Sequence, residues 1–85
     1  EVMLQEINNY TVEVYPNPFS YETNIKSVKK IETANIFNIN GKLIKSIKLN
    51  DYTFSLNRDN LETGLYFITF EKDNIIFDKQ TIILK

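Results

Sequence analysis

The chain contains neither cysteine nor histidine. That double absence removes disulfides, thiolate and imidazole metal ligands, the cysteine nucleophile and the usual general base of a serine triad. Carboxylates remain for acid–base work, and the candidates are Asp51, Asp59, Glu62 and Asp73. All four lie in turn-like segments, where a solvated surface charge is the ordinary state, and nothing in their spacing sets two of them across a glycosidic bond. No Asp/Asn-Gly loop has the ligand spacing of a calcium site. The sequence therefore predicts no active site and no metal site of a familiar kind.

What is left for function is recognition, and two places stand out. The first is "VYPNPF", Val14 to Phe19. Pro16 and Pro18 each remove a backbone donor and fix φ near −65°, and each pushes the residue before it toward extended geometry. A strand that ends this way leaves as a stiff, directed segment. Pro16, Asn17 and Pro18 are thus candidates either for direct reading by a partner or for shaping the exit, with the Asn17 amide bonding to nearby backbone in an Asx-type turn. The second place is the terminal run "IIFDKQTIILK", which carries Lys79 and Lys85 among apolar residues on both faces. A partner strand pairing with an exposed edge there, or contacting the lysines, would use it as a signal.

The elements that position these residues are strands. "YTVEVY", Tyr10 to Tyr15, alternates with Val12 and Val14 on one face, the period of a half-buried strand. "YETNIKS" is a weaker, polar candidate. "ETANIFNI" and "KLIKSIKL" flank Asn40-Gly41, the pair suited to the two positive φ angles of a type I′ hairpin turn. "YTFSLN" follows, with Tyr52, Phe54 and Leu56 on one side, and then a polar connection in which Leu61 tucks under the loop. "LYFITFEK" and the terminal run meet at Asp73-Asn74, a second hairpin turn. Short strands without helical crossovers predict an antiparallel sandwich or barrel. In "ETGLYFI", Gly64 precedes Tyr66 by two residues at a strand start, with Glu62 upstream and Ile68 downstream. This pattern resembles the tyrosine corner of Greek-key immunoglobulin-like domains and predicts a buried Tyr66 whose hydroxyl bonds upstream backbone. The expected fold is all-β, an immunoglobulin-like Greek-key sandwich of about seven short strands.

An 85-residue chain is one domain that buries roughly 60–65% of the surface exposed when unfolded. Lys and Arg number 10 against 11 for Asp and Glu, a net charge of −1 that gives no reason to expect nucleic acid or an anionic membrane as partner. No apolar run reaches the length of a membrane span. The start at Glu1, without Met, suggests a fragment of a longer protein. Residues 1–9 read as linker from an upstream part of that protein and residues 10–85 as the domain.

Taken in order, "VYPNPF", "ANIFNINGKLIKSI", "LETGLYFITF" and "KQTIILK" resemble the type A C-terminal sorting domain of the type IX secretion system (Por secretion system) of Bacteroidetes. The likeness covers nearly all of Tyr10 to Lys85, with single lysines at Lys79 and Lys85 where many relatives show a basic pair. The resemblance implies a label that catalyses nothing and binds no cofactor, fused to an upstream cargo, that directs transport across the outer membrane. It also implies an immunoglobulin-like sandwich, contact with the secretion machinery, and removal by a dedicated C-terminal signal peptidase. Export then runs through the periplasm to the cell surface or the medium, with no membrane insertion.

The competing function is a non-catalytic carbohydrate-binding or adhesion module, with Tyr21, Phe19 or Tyr52 as stacking platforms. The chain has no tryptophan to favour it.

Overall fold

The computed structural model describes residues 11–85. The linker expected over residues 1–9, and Tyr10, lie outside the described residues. Five antiparallel strands supply the regular structure: β1 (Val12–Tyr15), β2 (Glu22–Phe37), β3 (Leu43–Asn57), β4 (Gly64–Lys72) and β5 (Ile75–Leu84). No helix occurs among the described residues.

Strand β2 organises the sheet. One of its edges pairs with β3 along most of its length. The other is shared, with β1 on Asn24–Ser27 and β4 on Thr33–Phe37, and β5 pairs on the far side of β4. The register of β2 against β3 jumps from Lys26↔Thr53 to Ile31↔Asp51, so four residues of β2 lie opposite one of β3. Bulges bend a strand without ending it. That is why "YETNIKS" and "ETANIF" form one 16-residue strand, and "KLIKSIKL" and "YTFSLN" one 15-residue strand. Neither stretch contains a glycine or proline to force a loop.

Burial along β2 records the bend. Thr23, Ile25, Ser27 and Ile31 are buried, and then Ala34 and Ile36, a change of parity between Ile31 and Ala34. In a strand the side-chain period is two, so an odd offset sends the next residues to the opposite face unless a bulge restores them. A second register shift, between Ile31 and Thr33, falls at that change of parity, and both halves face one core. Ile68 and Phe70 of β4, Ile82 and Leu84 of β5, Val12 of β1 and Leu56 of β3 complete it, with Phe19 from the β1–β2 connection. Full burial of side chains of this size contributes about 1.5–3 kcal/mol each. Val14, Phe54 and Leu61 pack against the core from partly exposed positions, the first two as their alternation predicts and Leu61 as the residue expected to tuck under its loop.

Of the two hairpin turns, the first departs from its expected type and the second is the two-residue turn expected. At the first, Gly41 takes φ +84° while Asn40 does not adopt a positive φ. The Gly41 amide donates to Asn38 O (2.9 Å), and the Asn38 amide donates to Lys42 O (3.0 Å). This is a three-residue loop with a bulge at the glycine, not the predicted type I′ turn, because Ile39 adds a residue to the loop. The Asn38 carboxamide oxygen accepts the amides of Asn40 and Lys42 and holds the loop. Between the paired Lys72 and Ile75, Asp73 and Asn74 both have positive φ (55° and 64°). The type I′ signature sits there.

Candidate functional site

The proline pair carries the chain from β1 to the last strand. Both Tyr15-Pro16 and Asn17-Pro18 peptide bonds are cis. Phe19 then turns into the core, only 3% exposed, and its backbone forms a parallel bridge with Leu84. The Phe19 amide donates to Ile83 O (3.0 Å), and the Lys85 amide donates to Phe19 O (2.9 Å). Two residues earlier, where prolines leave no donor, the Asn17 side chain continues the ladder. Its Nδ2 donates to Thr81 O (2.9 Å) and its Oδ1 accepts the Ile83 amide (3.0 Å). A carboxamide has the donor and acceptor of a peptide group, so Asn17 substitutes for one. These bonds reach across the chain to β5, not to local backbone as an Asx turn would. Gln80 Nε2 also donates to Val12 O, and Thr23 Oγ1 to Pro16 O.

The edge of β5 from Thr81 to Lys85 is therefore occupied from within. The expectation of an open edge there, ready for strand addition, does not hold for that stretch. A strand edge with unpaired amides is a template for other chains, and this one is closed by an internal partner.

Arg58 completes the seam. Its Nη1 donates to Ser20 O (3.0 Å) and Lys85 O (2.7 Å), its Nε to Leu61 O (2.9 Å) and its Nη2 to Thr63 Oγ1 (3.0 Å). One planar guanidinium thus joins the segment after Pro18, the β3–β4 connection and the last residue. Lysine, with three donors on a point charge, does not reproduce that fork. Sequence reasoning passed over Arg58 as part of a polar connection. The available signal was that it is the single arginine of a chain that otherwise uses lysine.

Tyr66 makes the corner bond, its hydroxyl donating to Glu62 O at 2.8 Å. The ring is half-buried against the core instead of fully buried as predicted. Gly64 takes φ +150°, a backbone setting that side chains rarely adopt, and leads into β4. Ile68 beyond it has no exposed surface.

Lys79 is exposed and lies 5.6 Å from the centroid of the Phe67 ring. Such an exposed cation–π contact is worth about 0.5–1 kcal/mol. Lys85 is held by its backbone, with its side chain in solvent. Pro16, Asn17 and Pro18 are all exposed, although Asn17 uses its amide internally. Asn40 and Gly41 share a groove with Lys79.

The acidic candidates have structural employment. Asp59 pairs with Lys45, Asp51 accepts the Tyr52 amide, and Asp73 sits in the β4–β5 turn. Among the described residues no group of three or more acidic, cysteine or histidine side chains could hold a metal. Nor is any helix among them long and apolar enough to cross a membrane. As a stacking platform Phe19 is excluded by its burial, whereas Tyr21 is 83% exposed.

A family model described as a secretion system C-terminal sorting domain matches residues 13–85. The chain belongs to this family, the C-terminal sorting domains of type IX secretion, and is a sorting signal for export across the outer membrane. None of the curated proteins matches it. The matched span begins beside the proline segment and ends at Lys85, so it contains the whole seam.

Proposed function

We propose that this chain acts as a folded address label whose terminal strand is kept in one conformation until the secretion machinery engages it. The cargo is joined upstream, crosses the periplasm with the label attached, and is parted from it by the C-terminal signal peptidase of the system. Cleavage falls before Tyr10, ahead of the paired strands. Lys79 and Lys85 offer their side chains to the machinery, whereas Pro16, Asn17 and Pro18 act by holding the strand that carries those lysines. The observation that carries this reading is the seam itself: the motif near the start of the domain and the strand at its end are one hydrogen-bonded unit.

The fold reading at finer grain is an immunoglobulin-like sandwich of seven strand segments. Its support is the bulge shared by β2 and β3, on either side of which β2 pairs with a different neighbour, β1 before it and β4 after it. The Tyr66 corner bond and the core that faces both halves agree with it.

Fusion of residues 1–85 behind a fluorescent reporter with an inner-membrane signal peptide tests the function. In a host with a working type IX system the reporter should reach the surface or medium, and it should stay in the periplasm when the system is disabled or Ile82–Lys85 are removed. Retention of the intact, folded fusion in the working host would overturn the reading.

A further inference from the structure

The outer face of the β2–β4–β5 portion has a groove of which the sorting reading uses Lys79 alone. Phe37 and Phe67 lie directly opposite each other on β2 and β4, and Thr69 and Lys79 do so on β4 and β5. With the hairpin tip at Ile39 and Gly41 they line a depression of ≈ 380 Å³. Ligand sites run from about 300 to 1,000 Å³, so this one is at the small end and suits one side chain with its neighbour.

Three features point to an occupant. Ile39 is 67% exposed at the rim, and Phe37 and Phe67 are half-exposed, so apolar surface is grouped here and not scattered. Thr69 is only 6% exposed, and its hydroxyl has no hydrogen-bond partner among the described residues. Buried polar groups are normally paired, and an unpaired one calls for an explanation. Lys79 stands beside it with its ammonium over Phe67. A hydroxyl and an ammonium together present donors, which select an anionic oxygen. One ammonium is too few to track a phosphodiester backbone. The complementary group is a carboxylate next to an apolar side chain.

We propose that this groove docks an extended peptide segment in which an aromatic or aliphatic residue is flanked by an acidic one. The apolar side chain seats against Phe37 and Phe67, and the carboxylate takes the Thr69 hydroxyl and the Lys79 ammonium. Resting on the sorting reading, the segment belongs to a component of the export machinery. Because the groove lies on the sheet face, docking leaves the Asn17 and Arg58 seam closed.

Two measurements separate this proposal from the sorting reading. In the first, the chain is titrated by NMR with the peptide acetyl-Asp-Phe-Asp-Phe-Asp-amide and with its counterpart bearing lysines for the aspartates. Expected are shifts centred on Phe37, Phe67 and Thr69, with the acidic peptide binding about 3- to 5-fold tighter, the factor of one exposed ion pair. Thr69→Val should weaken that binding without lowering the melting temperature. Equal affinity for both peptides, shifts elsewhere, or self-association of the chain through this face would overturn the proposal. In the second, export of the fusion is compared with that of its Lys79→Glu variant. Loss of export at unchanged melting temperature supports the docking site. Normal export of both overturns it and leaves the sorting function standing. If even the unaltered fusion stays inside, the sorting reading fails and the titration alone decides the groove.

Discussion

Two of the lateral strands of this sheet, β5 and β3, are treated differently. On β5 the stretch from Thr81 to Lys85 is bonded to Asn17 and Phe19 and capped by Arg58. On β3, which pairs only with β2, the outer edge runs for 15 residues without a partner strand among the described residues. Lysines at Lys45 and Lys48 and the bend at Asp51 are its protection, the ordinary means of discouraging edge-to-edge pairing. Charge and curvature suffice where a strand only has to avoid neighbours. A covering segment with directed hydrogen bonds is needed where one conformation of the last residues has to be held.

The sharpest way to break that contrast is at the guanidinium. Arg58→Ala removes bonds to four oxygens on three segments, and it should lower stability by about 2–4 kcal/mol, since hydrogen bonds to charged groups carry about 1.5–3 kcal/mol each and are not additive. Arg58→Lys should recover only a minor part. Denaturant melts of the three chains read this directly, and full rescue by lysine would refute the fork.

Next in size is Asn17→Ala, which unpairs Thr81 O and the Ile83 amide and should cost about 1–3 kcal/mol. Amide exchange at Ile83 should accelerate while that at Ile68, deep in β4, changes only with global stability. Asn17→Asp should do no better, because a carboxylate keeps the acceptor for Ile83 but sets an oxygen against Thr81 O. An aspartate as stable as the wild type would show that the Thr81 bond contributes nothing.

Tyr66→Phe should cost about 0.5–1.5 kcal/mol, the net value of one neutral hydrogen bond, because the ring keeps its packing. An unchanged melting temperature would remove the corner from the list of stabilising contacts. Smallest of all is Lys48→Val on the open edge, expected within about 0.5 kcal/mol in monomer stability. Its effect should appear instead as concentration-dependent association in sedimentation. An increase confined to this edge, with none on loss of Lys79 from β5, would sharpen the comparison.

Much of the site was legible before the fold was known. The hydroxyl bond of Tyr66 could be read because a tyrosine corner is local, donor and acceptor being four residues apart. Asp73-Asn74 was legible as a hairpin turn for the same reason. The partner of Asn17 was not, because it lies 64 and 66 residues away and any backbone amide would have served. Phe19 looked like a surface aromatic because it follows two prolines, and only the path they impose turns it into the core. The turn at Gly41 was misassigned because its type depends on register, and Ile39 shifts that register by one.

By itself, then, the sequence determined an all-β domain. Alternation, turn residues and the absence of cysteine and histidine act over a few residues or over composition as a whole. The tertiary structure alone decided that β2 and β3 run unbroken through a bulge, that one asparagine stands in for a peptide group, and that one arginine gathers the chain's end. Those outcomes depend on which backbone atoms meet across the sheet. Backbone amides are the same at every residue, so no side-chain pattern announces where they will pair.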